Sequence, residues 1–186
     1  MNLARPVTSN VRMRHFRAGI AGIVGVLAAT ALLAGAAFAQ GNGVGARAPE
    51  IGLTDMSGHQ VRLSGLRGKV VLVNIWGTWC RPCREEMPFL NTLYQRYREQ
   101  GLVVIGVAQD SERGAVQTFL RRAHVSYPIV HDGQHAVAQR YDQVSHERAM
   151  PRSFIVDRRG IVRYIHVSRR AGDLPEIEQQ IQRLLR

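Results

Sequence analysis

The sequence predicts an α/β fold with a central mixed sheet flanked by helices, and three observations carry that expectation. "KVVLVNIW" (69–76) and "LVVIGVAQ" (102–109) are continuous apolar runs, too short for helices and rich in β-branched residues, as in strands covered on both faces. Each is followed by a segment with helical spacing, the connection that parallel strands require. "RSFIVDRRGIVRYIHV" (152–167) reads instead as a hairpin, so the sheet ends antiparallel.

The chain has 186 residues, enough for one ordinary core. Residues 1–17 carry Arg5, Arg12, Arg14 and Arg17 with no acid, and 18–39 are uncharged, which is an export signal. Ala37-Phe38-Ala39 offers a small-x-small cleavage site, while the uncharged run is also long enough to span a bilayer. Residues 1–39 are therefore expected to be a signal peptide or an N-terminal membrane anchor. The positive end stays in the cytoplasm, which places the rest in the periplasm, soluble after cleavage or tethered to the inner membrane. Gly-rich residues 40–48 read as a flexible spacer, and 49–186 as the folded domain.

Within that domain, 51–54 and 60–63 alternate around the turn signal Asp55-Met56-Ser57-Gly58 and predict an N-terminal hairpin. Met87, Leu90, Leu93, Tyr94 and Tyr97 mark a helix that starts at the cysteines and ends before Gly101. Asp110 or Ser111 can cap a helix running to about residue 123, with Val116, Phe119 and Leu120 inward. "YPIVHD" reads as a short strand and "HAVAQRY" as a short helix. In the last hairpin, 157–160 form the turn, and Ile161, Tyr164 or Ile165, and Val167 are the inward candidates. An amphipathic helix closes the chain, with Asp173 as its cap and Ile177, Ile181, Leu184 and Leu185 inward.

The formal charge is +11, but the four leader arginines leave +7 on the remainder. Twenty-four of the 25 basic residues are Arg, scattered in singles and short pairs. Scatter and export together argue against nucleic acid as a partner and for a solvated basic surface.

Cys80 and Cys83 are the only cysteines. A bridge between them closes too small a loop to be a useful staple. A structural zinc site needs four ligands, and neither a second cysteine pair nor a His-x-x-x-His supplies them. His131 and His135 are four apart but straddle the turn at Asp132-Gly133, so no metal site is expected. If Cys80 ends a loop and Cys83 sits in the first helical turn, the free N–H groups and the helix dipole favour a thiolate at Cys80, which Cys83 can then resolve. A disulfide-donating oxidant and a copper or haem chaperone remain the alternatives. A peroxidase lacks its Pro-x-x-x-Thr/Ser-x-x-Cys setting.

Taken together, "VVLVNIWGTWCRPCREEMP", the hairpin ahead of it, "MPRSFIVDRRGIV" and the terminal helix resemble the periplasmic or membrane-associated thioredoxin-like reductases of the TlpA, ResA and CcmG type, over about residues 48–186. The resemblance implies a thioredoxin-like fold with an N-terminal β-hairpin extension and a thiol-disulfide oxidoreductase that needs no bound cofactor. Cys80 would be the nucleophile and Cys83 the buried resolving thiol of a redox-active disulfide. Trp79, Met150 and Pro151 would contact substrate, with Pro151 as a cis-proline and Met150 offering its backbone. Glu86 matches an acidic residue that would oppose thiol ionisation and pass protons. Arg81 would favour the Cys80 thiolate, and Pro82 resembles reducing members rather than strong oxidants.

The implied partners are exported proteins with disulfides, such as apocytochrome c haem-site cysteines or the copper-site cysteines of an oxidase and its assembly factor. A membrane electron donor of the DsbD/CcdA type would re-reduce the enzyme, which is expected to be a monomer. Two departures stand out. Asn74 occupies the place of a buried aspartate in cytoplasmic thioredoxins, so Glu86 is the better proton handler. "DQVSHERAM" before Pro151 is longer than expected and Arg152 stands where Thr is usual, so substrate choice is sought around 146–152.

Overall fold

The computed structural model describes residues 43–167 and 174–186. The expected leader, residues 40–42 of the spacer and the Asp173 cap lie outside the described residues. Five strands form the main sheet: β3 Val70–Trp76, β4 Leu102–Ala108, β5 Ile129–His131, β6 Arg152–Val156 and β7 Val162–Val167. Their order is β5-β4-β3-β6-β7, with β3 parallel to β4, β4 parallel to β5, and β6 antiparallel to both β3 and β7. This is the expected mixed sheet, with β3, β4 and β5 parallel and joined through helices and the β6-β7 hairpin bringing in the antiparallel pairings.

Every residue of β3 is buried, because helices cover both of its faces. On one face Val70, Leu72 and Trp76 meet α1 (Arg81–Tyr97), Val116 of α2 (Arg113–Leu120), and Ile177 and Ile181 of α4 (Leu174–Leu185). On the other, Val71, Val73 and Ile75 meet Val137, Ala138 and Tyr141 of α3 (Ala136–Ser145). Among the described residues no helix is long and apolar enough to cross a membrane.

The structure corrects several local expectations. The N-terminal hairpin is shorter, β1 Leu53–Thr54 against β2 Gln60–Val61, since a 3-10 helix starts at Leu63. The domain begins before Pro49: Gly45 N donates to Val162 O at 2.8 Å and Ala48 N to Gly160 O at 3.0 Å, with Ala46 and Ala48 buried. Residues 45–48 are thus part of the fold rather than spacer. Helix α2 starts after Glu112 without a side-chain cap, because Asp110 accepts instead from Thr78 N at 3.0 Å and from the Thr78 hydroxyl.

Helix α3 runs past Tyr141 to Ser145. Asp132 holds its first turn, accepting from Val137 N at 3.2 Å and Ala138 N at 2.9 Å. In β7 the buried residues are Val162 and His166, not the expected Ile161 and Val167, and Val162 joins the α3-side core.

Candidate active site

The last turn of β3 delivers residues 77–80 to the start of α1. At Gly77 a Cβ would come 2.8 Å from Cε2 of the Trp79 indole folded over it, so any side chain there would displace that ring. Thr78 is tied to Asp110 at the end of β4, and Arg84 Nη1 donates to Thr78 O at 2.6 Å. Cys80 is the N-cap of α1, with Pro82 in the first turn, where a missing N–H costs nothing. The Cys80 sulfur accepts from Cys83 N at 3.3 Å. Cys80 and Cys83 are joined as a disulfide with their Cα atoms 5.3 Å apart. Cys83 is wholly enclosed and Cys80 retains a little exposure, so access is from the Cys80 side.

One turn beyond Cys83, Glu86 faces the same way and is buried, 3% exposed. Its neighbour Glu85 points outward and pairs with Arg81 at 2.8 Å. The Glu86 Oε1 atom accepts from Asn74 Nδ2 at 2.6 Å, and Asn74 Nδ2 also reaches Ser153 Oγ at 3.1 Å. Burial pushes the Glu86 carboxyl up to about 7, and the Asn74 hydrogen bond only partly opposes it. The second Glu86 oxygen, the Asn74 oxygen, Trp76 Nε1 and the Tyr127 hydroxyl are buried without a hydrogen-bond partner among the described residues. Trp76 Nε1 and the Tyr127 ring both crowd Gly106, where a Cβ would lie 3.0 and 3.3 Å from them. Burial raises the Tyr127 phenol, and the Glu86 carboxylate adds to that.

Alongside Trp79, next to the disulfide, runs a groove of about 720 Å³ whose lining includes Trp79, Gln109, His135, Asp142, His146, Met150 and Arg152. Trp79 is 62% exposed at its rim. The Met150-Pro151 bond is cis, and Met150 packs against the cluster that contains Cys80 and Cys83. His131 and His135 do not meet as ligands: Nε2 of the first contacts Asp110 O and Nδ1 of the second contacts Gln109 Oε1, each at 2.7 Å. Among the described residues no group of three or more His, Cys, Asp or Glu could hold a metal.

The structure therefore gathers Cys80, Cys83 and Glu86 on one face of α1, with Trp79 and Met150 at the groove and Pro151 buried next to Met150. Arg81 is not part of that gathering. Its side chain is 82% exposed and its guanidinium turns to Glu85 rather than to sulfur. Sequence reasoning missed Asp110, Ser153 and Tyr127. Each acts through a partner more than 30 residues away, and no local spacing announces such pairs.

The AhpC/TSA family model matches residues 44–165. The chain is 41% identical over 122 residues to the thiol-disulfide oxidoreductase ResA of Geobacillus kaustophilus (strain HTA426), covering 66% of this chain and 68% of that protein. ResA of Bacillus subtilis (strain 168) is 36% identical over 118 residues, covering 63% and 64% respectively. Among solved structures, one described as a thiol:disulfide interchange protein DsbE from Chlorobium tepidum superposes with a TM-score of 0.72 at 32% identity, covering 78% of this chain and 100% of that one.

Proposed function

The chain belongs to the AhpC/TSA family and is a thiol-disulfide oxidoreductase of thioredoxin-like fold, and from that premise we propose that it reduces disulfides in selected exported proteins. The observation that carries the direction is Glu86. A buried carboxylate one turn after Cys83 opposes thiol ionisation, withholds the thiolate stabilisation that makes a dithiol pair oxidising, and so favours giving electrons away. Arg81, the cation that could offset this, is paired with Glu85 in solvent.

In the cycle the Cys80 thiolate attacks one sulfur of the substrate disulfide, forming a mixed disulfide, and the other substrate sulfur leaves as a thiolate and takes a proton. Cys83 then gives its proton to Glu86 and attacks the Cys80 sulfur. The second substrate thiolate leaves and is protonated, so the substrate gains two electrons and two protons while Cys80 and Cys83 become a disulfide. A group titrating near 7 suits that proton relay. Trp79, Met150 and Pro151 line the path of the substrate chain. A membrane dithiol donor of the DsbD/CcdA type restores the thiols, and the proposed location is the periplasm, which the leader supports.

The test is to trap the intermediate. Cys83→Ala is expected to accumulate an exported protein on Cys80 through a bond released by dithiothreitol, and Cys80→Ala to accumulate none. Absence of any adduct would defeat the cycle. The direction is tested by the Cys80/Cys83 potential: a value near that of thioredoxin, about −270 mV, agrees with a reductase, and one near that of DsbA, about −120 mV, makes it an oxidant.

A further inference from the structure

The groove beside the disulfide has a wall formed by residues 146–150, and a buried side chain holds it in place. Arg152 follows the cis-proline on β6 and is 2% exposed. Its Nη1 donates to the Ala149 carbonyl at 2.9 Å, inside the wall, and its Nη2 donates to Asp142 Oδ1 on α3. One guanidinium thus joins a helix, a loop and a strand. A planar fork with donors on separate nitrogens can satisfy acceptors on two elements at once. A Thr at this position would reach neither.

The wall needs such a tie. Helix α3 stops at Ser145, where His146 takes a left-handed φ of 54° and turns the chain away. The Ser145 hydroxyl secures Glu147 by bonds to its O at 3.1 Å and from its N at 3.3 Å. Beyond that, Arg152 supplies the hold on Ala149, next to Met150 and Pro151.

We propose that Arg152 is a positioning residue: by holding the Ala149 carbonyl against Asp142 it presets the Met150 backbone on which an incoming disulfide-bearing chain lies. This rests on the reading above that protein disulfides are the substrates. A wall fixed in advance spares the ordering cost at binding, so its loss raises KM more than it lowers kcat. Small disulfides that do not span the groove are indifferent to it.

The experiment compares Arg152→Lys, which keeps the charge without the fork, and the double variant Asp142→Asn/Arg152→Gln, which leaves no unpaired buried charge. Each is assayed with insulin and with hydroxyethyl disulfide, alongside amide hydrogen exchange of Ala149 and Met150. Expected are a rise of about tenfold in KM for insulin, hydroxyethyl disulfide rates within about twofold of wild type, and faster exchange at both amides. Unchanged KM and exchange overturn the proposal, as does an equal loss on both substrates. Should the wild-type protein fail to reduce insulin, the functional reading falls, and amide exchange alone decides the role of Arg152.

Discussion

The two sides of the sheet flanking the disulfide each bury an ionisable side chain, and they treat it in opposite ways. On the α1 side Glu86 pairs with no cation among the described residues and accepts from the amide of Asn74, and its carboxyl is raised to about 7. On the α3 side Arg152 is as deeply buried but carries Asp142 as a counter-charge. Burial lowers the Arg152 pKa while Asp142 opposes that shift. A lone acid can change charge near neutral pH and so move protons. A paired cation keeps its charge and fixes shape. Adjacent residues of β6 serve the two sites, because side chains alternate along a strand: Arg152 lies on the face of Phe154, and Ser153 on that of Ile155.

The largest effect should come from breaking the pair. Asp142→Ala leaves Arg152 buried without its counter-charge and should cost about 3–5 kcal/mol in a denaturant titration. A loss as small as that of a surface ion pair would erase the contrast between the two sides.

Glu86→Gln should do the reverse, leaving the fold intact and slowing the resolving step by about 100-fold in single-turnover kinetics. Its pH signature has a definite sign. The Glu86 carboxyl is raised from 4.5 to about 7 on folding, so the native protein holds the proton more tightly than the unfolded chain. Wild-type stability should therefore fall, by about 3 kcal/mol, as pH rises from about 4.5 to about 7. The Gln variant should lack that slope, and identical slopes would remove the lone acid from the account.

Ser153→Ala removes an acceptor from Asn74 and should cost about 1 kcal/mol, without changing KM for a protein disulfide, since its neighbour Arg152 faces the other way. Smallest of all, Arg81→Gln should leave both the unfolding midpoint and the thiol potential where they are, because its partner is Glu85 in solvent. A clear change in potential would restore Arg81 as a tuner of Cys80.

How much of this was legible in the sequence follows from how local each determinant is. The central strands β3 and β4, helix α1 and the Cys80/Cys83 pair announce themselves through periodicity and spacing within about twenty residues. The spacing of Glu86 from Cys83 placed it on the right face. Its burial was not legible, because Asn74 is 12 residues before it and Ser153 67 residues after it. Arg152 stood out as a departure, but its partner lies in a part of α3 that the pattern ended too early, at Tyr141. In strand β7, Ile161 and Val167 were read as inward while Val162 and His166 are the buried ones; a register shift between Ile155 and Val156 interrupts the pairing with β6, so simple alternation fails there. Arg81 illustrates the converse error, a charge assigned by proximity in sequence whose side chain leaves the site.

The Cys80 sulfur is both a redox atom and the cap of α1, accepting the Cys83 N–H. A thiolate is a stronger acceptor at a helix start than a disulfide sulfur, so reduction tightens the first turn. The helix and the electrons then share one thermodynamic cycle: whatever free energy reduction adds to the cap, the cap returns as electron affinity. About 1.4 kcal/mol of extra capping corresponds to about 30 mV in this two-electron couple. The first turn of α1 is therefore part of the electrochemistry, and a substitution that loosens it more in the reduced than in the oxidised protein registers as a more negative potential even when neither sulfur is touched.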